Sequence, residues 1–463
     1  MNGEISKEAQ DETRVEDNGE TRVEMKVEKS GYGSRRNDSR RGSISIFLVV
    51  VFACFITVTA VLFAGAKSAS GRSMADASLQ LAGRSVLSEY DRRLMSDYGL
   101  LAFRGDEKRI EDAIVYYSEA SLAPKDPLYR LFRSGNARTF SQDTRCKDVN
   151  VSLATYSLLD LDNFEDQVRN AALPEIGGSL LVKDREGGSA KNKTGREDGY
   201  GRVLRNKSVI SSLPSRGFDG PLFPSFGDLS DIPNIEDVLQ TGTALFMTTE
   251  YAIAVFGNHV DGAKEGHFFG NEIEYLIAGR YDDKANYSGV TGVKIRLIAI
   301  RNGMNHVALM KDPEKMARVE ALAAAIALIT GESAYEAAKF GVIEAWVAAE
   351  TGNDLMLLEQ GEEINFIKTP AQWATQNIVE IWGGWTSTKA VHPIEGGGQN
   401  YSFYLRLMLY LLDRETKLLR MMDLMQLNLK GTYYEDFLMR EYYTGFRFDC
   451  VVDGEKYAYT EKY

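Results

Sequence analysis

A chain of 463 residues with 44% hydrophobic and 26% charged side chains, at a mean hydropathy of −0.27, is neither a multi-span membrane protein nor a wholly disordered one. Lys and Arg number 54 against 66 Asp and Glu, a net −12, and such a chain makes a poor nucleic-acid binder because phosphate contact needs clustered positive charge. Four His and three Cys are too few and too scattered for a disulfide framework or an evident metal site, and the length suits two or three domains.

Residues 1–41 hold nine basic and ten acidic side chains, so almost all of the net charge belongs to the rest of the chain. They repeat Glu-Thr-Arg-Val-Glu at Glu12–Glu16 and Glu20–Glu24 and contain almost no core-forming residues. A solvated, disordered tail is expected, with a cytoplasmic docking peptide as the sharper alternative. From Ser43 to Ala66 no residue is charged. The 23 residues Ile44–Ala66, at ~1.5 Å rise each, cross a hydrocarbon core of ~30 Å with some tilt. Ser45, Thr57 and Thr59 can bond back to helix carbonyls. A buried core helix would break the run with a polar face. A cleaved secretory signal would carry a shorter apolar core nearer the start. Six basic residues (Lys26, Lys29, Arg35, Arg36, Arg40, Arg41) precede the span, against three (Lys67, Arg72, Arg84) in the equal window after it. That bias places the N-terminus in the cytoplasm and the bulk of the chain outside, in a single-pass cell-membrane protein.

Beyond Ala66 the pattern stays helical, and residues 67–98 read as a stalk that continues the membrane helix to about Ser96, with Gly99 as the stop. Leu79, Val86, Tyr90 and Leu94 form its stripe. Ala60, Ala64 and Ser68 make a small-residue line through which two copies of the helix can self-associate. Residues 99–182 read as an α/β region, with a helix over 106–122, a strand around Val149, Val151 and Leu153, and a helix over Asn163–Ala172. Residues 183–233, rich in Gly, Ser, Lys and Pro, read as a flexible loop, with a weak basic contact to anionic polymer or lipid as the alternative. Residues 234–463 read as a helical domain: a helix through Ala244–Phe256, a short one at Glu272–Ala278, then Val290–Leu309, Pro313–Ile329, Ala334–Glu350, Phe403–Leu412 and Arg414–Leu427, the last two amphipathic. Asp453-Gly454 between alternating runs signals a hairpin that places Phe446, Phe448, Cys450 and Val452 on one face. Cys450 reads as a small buried apolar residue; a Cys146–Cys450 disulfide, which would staple the first strand region to the last, is the other reading. The fold class is α+β, mainly α: one transmembrane helix, a stalk, and a helical extracytoplasmic domain with a small antiparallel sheet.

The stretches Arg41-Gly42-Ser43-Ile44-Ser45-Ile46-Phe47-Leu48, Leu87-Ser88-Glu89-Tyr90-Asp91-Arg92-Arg93-Leu94 and Asp97-Tyr98-Gly99-Leu100 resemble a family of uncharacterised bacterial single-pass membrane proteins. Its members are mainly Gram-positive, associated with tight-adherence (Tad/Flp) pilus and type II/IV secretion-like loci, with a TadE/TadG-like, pseudopilin-like N-terminus. Glu272–Ile277, Tyr404–Arg406 and Leu419–Gln426 share the likeness, which covers about residues 41–460. Pilin-like precursors cut after Gly carry a Glu five residues on, and here that position is Phe47. An uncleaved anchor is therefore expected rather than a polymerising pilin. The resemblance implies protein partners in a pilus or secretion complex beside the lipid bilayer.

The sequence carries few signals of chemistry. There is no HExxH, P-loop or G-x-S-x-G elbow, and no cofactor, metal or catalytic residue is expected. His259, Asp261, Glu265, His267 and Glu272 match no ligand spacing and read as solvated loop side chains. Glu89, Asp91 and Asp97 read as ion-pair partners of Arg92 and Arg93. Tyr433, Tyr434, Tyr442, Tyr443, Tyr457, Tyr459 and Tyr463 are dense enough to form an interaction surface, since Tyr buries area at low entropy cost; the alternative is that they face the hairpin core and its rim. The expected function is a non-enzymatic structural or assembly component of a Tad-like apparatus. A surface receptor with a short signalling tail is the rival.

Overall fold

A charge-free run rich in Val, Phe and Ala has no reason to leave the helix, and it forms the middle of a 50-residue helix, α1 (Asp38–Leu87). The computed structural model describes residues 38–122, 146–181, 207–217, 235–264, 266–267, 270–279, 285–376 and 390–463. The tail with Arg35 and Arg36, Glu265, and most of the 183–233 loop lie outside the described residues, as do the side chains of Arg40 and Arg41. The chain divides into two units, Met1–Ser70 and Gly71–Tyr463.

In the first unit, the apolar stretch of α1 reaches a mean hydropathy of 3.0 over 18 residues, none of them buried. Among the described residues α1 is the helix long and apolar enough to cross a membrane near the N-terminus. The Thr57 hydroxyl donates to the Ala53 and Cys54 carbonyls at 2.7 and 2.9 Å, and Thr59 donates to Phe55 and Ile56 at 2.9 Å each. The two polar groups are thus satisfied within the helix, as a hydrocarbon environment demands. Ala60, Ala64 and Ser68 are exposed.

In the second unit, the end of α1 is part of a core rather than a free stalk. Ala75, Leu79, Ala82 and Val86, spaced four, three and four, are buried. Gly83 lies on the same side, where a Cβ would stand 2.7 Å from Glu461 Cγ and 3.2 Å from Phe448 Cε1. α1 stops at Leu87. Asp91 caps a separate helix, α2 (Arg92–Tyr98), its Oδ1 accepting from the backbone N–H groups of Arg93 and Leu94 at 2.9 and 3.0 Å. Gly99, at φ +68°, closes it, as its sequence position predicts. The single helix predicted over 67–98 is therefore two, because the Asp91 cap starts a new one. Tyr90, expected on the buried stripe, is exposed.

Strand β1 (Phe103–Arg104) leads into α3 (Glu107–Leu122), which packs on β2 (Cys146–Ser152). At the C-terminus, β3 (Tyr442–Tyr443) pairs antiparallel with β1, and β2, β4 (Gly445–Val452) and β5 (Glu455–Lys462) form an antiparallel sheet in the order β2-β4-β5. Asp453 and Gly454 take φ of +53° and +81°, the two positive values a type I′ turn needs. Phe446, Phe448, Cys450 and Val452 are all buried on the predicted face, against Leu79, Val86, Ile110 and Ile114.

A larger core is helical. α4 (Leu161–Leu181) packs on α6 (Ile235–Val255); the short α5 (Lys207–Ser211) and α7 (Glu272–Ala278) cover it with α11 (Tyr401–Tyr410) and α12 (Arg414–Thr432). α12, amphipathic by its sequence, is buried on every side from Thr416 to Leu429 and forms the central rod of this core. α8 (Ala285–Met310), α9 (Pro313–Thr330) and α10 (Tyr335–Glu359) complete the unit, with α10 packed on both neighbours around Trp346 and Trp373.

Candidate functional site

The surface of α8 departs from what an amphipathic helix should show. Ile295, Ile298, Ala299, Gly303, Val307 and Met310 recur at helical spacing and all face solvent, Ile295 at 62% exposure. α10 runs alongside, antiparallel, with His306 paired to Glu344 at 3.2 Å and Lys294 to Glu359 at 2.5 Å along the seam. Its outer face is small: Gly341, Ala345, Ala348 and Gly352, spaced four, three and four. A Cβ on Gly303, Gly341 or Gly352 would meet nothing within 4 Å. Helix-interior glycine costs ~1 kcal/mol relative to Ala, and packing among the described residues gives these three no compensation. At the α9–α10 turn, Leu328, Ile329 and Phe340 are exposed at 89%, 88% and 64%. Large apolar side chains beside glycines on rigid helices suit close approach of another apolar surface.

Beneath this face lies a buried ionic network. The Arg301 guanidinium donates from Nε to Asp354 at 2.9 Å, from Nη1 to the Asn365 and Phe366 carbonyls and the Tyr404 hydroxyl at 3.0 Å each, and from Nη2 to Asn305 at 3.1 Å. Lys368 bridges Asp354, at 2.5 Å, and Glu350. Glu350 also accepts from the Ala374 and Thr375 backbone N–H groups at 2.9 and 2.8 Å. The side chains of Arg301, Asp354, Glu350 and Lys368 are 3% exposed or less. Two cations and two anions balance, and the network ties the loop through Ile364–Gln376 to α8 and α10. Such a network stiffens what it joins. None of its members was singled out from the sequence; the available signal was Arg301 in the middle of the helix predicted over Val290–Leu309.

α7 is a second hub. All seven of its residues are buried, including Glu272 and Glu274. Glu272 accepts from the Gly257 N–H at 2.7 Å and from Asn428 Nδ2 at 2.6 Å, and lies 2.9 Å from His267 Nδ1. Glu274 Oε1 accepts from the His259 N–H at 2.9 Å and the Tyr401 hydroxyl at 2.8 Å; its Oε2 has no partner among the described residues. Burial pushes the Glu274 carboxyl up to about 7. Asp423, which accepts from Tyr275 and the Ser215 N–H, is raised by the same desolvation. Across the core, burial lowers the Lys417 amine to about 7, where it donates to Thr249. The residues read from the sequence as a solvated acidic and histidine cluster are thus split. His267 and Glu272 are buried and paired, His259 lends its backbone to Glu274, and Asp261 accepts from Asn258 at 2.6 Å. Among the described residues no group of three or more His, Cys, Asp or Glu is placed to hold a metal.

The tyrosines do not make one surface. Tyr442 is buried and donates to Asp91; burial raises its hydroxyl well above the ordinary range. Tyr459 donates to Asp76 at 2.5 Å and stacks on Tyr457 beside α1. Tyr463 bonds the Leu87 carbonyl, Tyr443 joins the sheet core, and Tyr433 lies 4.2 Å beneath Arg93 with Tyr434 adjacent. Tyr443, Tyr457, Tyr459 and Tyr463 pack against the sheet core that holds the hairpin, whereas Tyr433, Tyr434 and Tyr442 pack on the helical core. Glu89 pairs with Arg109 rather than Arg92 or Arg93. Together with Asp91, Arg104 and Tyr442 it lines a cavity of about 110 Å³.

The model of a family of unknown function (DUF5702) matches residues 201–454, more than half of the chain. The chain belongs to that family. The DUF5702 match begins before α5, contains all of β4 and takes in the exposed face and both buried hubs, while α1 to α4 lie outside it. No curated protein and no solved structure matches the chain.

Proposed function

We propose that this chain is a non-enzymatic, membrane-anchored structural or assembly component of a Tad-like pilus or secretion apparatus at the bacterial envelope. The observation that carries the scaffold reading is the apolar face of α8 with its flanking glycines. α1 supplies the anchor, and the likeness of residues 41–100 to TadE/TadG-type proteins supports the apparatus. The flanking charge bias favours a cytoplasmic N-terminus with Lys67–Tyr463 outside. The buried charges support a rigid partner-binding body, because their ion pairs and hydrogen bonds are spent on internal ties. The alternative, a cell-surface receptor or ligand-binding sensor with a short cytoplasmic tail, calls for a pocket of roughly 300 Å³ or more.

Purification of the full chain from its own cells in mild detergent tests the proposal. Wild type is expected to retain pilus or secretion proteins, and a variant with Ile295→Glu and Ile298→Glu to lose them with an unchanged melting temperature. Retention of none by wild type overturns the reading. Protease added to wall-stripped cells should digest Lys67–Tyr463 and spare the tail; full protection refutes the orientation.

A further inference from the structure

Two of the chain's three cysteines meet, although about 300 residues separate them. Cys146 opens β2, opposite Val452, and Cys450 is two positions away along β4 on the same buried side of the sheet. The β2–β4 register slips between Lys147 and Asn150, where Asp148 takes φ +50°. The Cys146 and Cys450 side chains lie close enough to act on each other's ionisation, and the Ser118 hydroxyl of α3 also acts on Cys146. Both are free thiols, 6% and 2% exposed. The third, Cys54, is on the apolar stretch of α1.

We infer that Cys146 and Cys450 are a disulfide-forming pair, an oxidation site that staples β2 to β4 by exchange with a small-molecule or protein disulfide. The site joins a strand outside the DUF5702 span to one inside it. The contact with Cys450 holds the Cys146 thiol below its ordinary range, while that contact and burial push Cys450 up. Cys146, the first residue of β2 and the more exposed of the two, is the first nucleophile. Its thiolate attacks one sulfur of the incoming disulfide, that S–S bond breaks, and one thiolate leaves and takes up a proton. Cys450 then gives up its proton and attacks the Cys146 sulfur of the mixed disulfide, releasing the second thiol. Two protein thiols are oxidised, and one external disulfide is reduced to two thiols.

The test uses the full chain in mild detergent on a Cys54→Ser background, which removes crosslinking between membrane helices. The protein is equilibrated with mixtures of glutathione and glutathione disulfide, alkylated, and mapped by unreduced peptide mass spectrometry. A linked Cys146–Cys450 peptide should accumulate with the oxidised fraction, and both thiols should disappear from alkylation together. Cys450→Ser should trap glutathione on Cys146, and Cys146→Ser should give at least tenfold less adduct at Cys450. If either serine variant does not fold, the unreduced map of the Cys54→Ser protein still decides. Independent alkylation of both thiols at every ratio, or a linked peptide only after denaturation, overturns the inference. The result does not depend on the docking face of α8, so the two proposals fail separately.

Discussion

Replacing Glu274 with Gln should make the second unit more stable at alkaline pH and leave it unchanged at acid pH. Glu274 is fully buried in α7, with Oε1 held by the His259 N–H and the Tyr401 hydroxyl and Oε2 without a partner among the described residues. Gln keeps the oxygen acceptor and places a neutral NH2 where the protonated acid has its O–H. It mimics the acid form and cannot ionise. Burial moves the carboxyl from an ordinary 4.5 to about 7, so the folded chain holds a proton that the unfolded chain has released between those values. The stability that this proton represents is fully present below pH 4.5, falls as pH rises, and is gone above about pH 7. At ~1.4 kcal/mol per tenfold change in proton affinity, the loss is about 3 kcal/mol.

Urea unfolding of wild type and Glu274→Gln in the same detergent checks this across the pH range, and every other titration cancels in the difference. The two proteins should agree within ~0.5 kcal/mol at pH 4, and the variant should lead by up to about 3 kcal/mol at pH 8. A difference that is constant with pH, or a variant less stable at pH 8, would refute the assignment of the buried proton to Glu274.

Lys417→Met should show the opposite slope. The amine is lowered from 10.5 to about 7, so the cost of burying it grows as pH falls through that window. The variant should match wild type near pH 11 and exceed it by up to about 5 kcal/mol at pH 6 in the same urea assay. Asp354→Ala leaves Arg301 and Lys368 short of a counter-charge in a dry site and should cost about 3–5 kcal/mol in unfolding free energy. Gly83→Val drives a branched side chain into Glu461 and Phe448 and should lower the melting temperature and open the α1–sheet core to proteolysis, whereas Gly303→Ala, with open space around it, should stabilise by ~1 kcal/mol.

The hairpin and the apolar part of α1 were legible because each rests on local chemistry. Asp-Gly can take two positive φ values, and a charge-free run of membrane length needs no partner to stay helical. The break at Ser88–Asp91 was less legible. The apolar residues continue at helical spacing through Tyr90 and Leu94, and only the Asp91 cap marks the new start. The central role of α12 was hidden by its composition. Lys417, Arg420, Asp423 and Gln426 recur every third residue and look like a solvent stripe, yet each is buried with its own partner. Lys417 donates to Thr249, Arg420 to the Leu276 and Ile277 carbonyls, and Gln426 to Ser212, while Asp423 accepts from Tyr275 and the Ser215 N–H. Helical period reports that a face differs from its opposite; it does not report which of the two is wet.

α8 is the converse of α12, and the contrast supports the proposed place for a partner. In α12 the polar face turns inward and is satisfied by other segments of the chain. In α8 the apolar face turns outward and is satisfied by none of the described ones. Fully burying a Val, Leu or Ile side chain gains ~1.5–3 kcal/mol, so Ile295, Ile298 and Val307 leave several kcal/mol unrealised on the surface. Covering them releases that energy with little ordering cost, because the network around Arg301 and Asp354 already fixes the helices beneath. Tyr442 and Tyr459 offer no such reserve: their rings pack within the second unit, and their hydroxyls are committed to Asp91 and Asp76. A docking face needs unspent apolar area on a rigid support; on the proposed reading α8 supplies both, while the Tyr442 and Tyr459 hydroxyls are already committed within the unit.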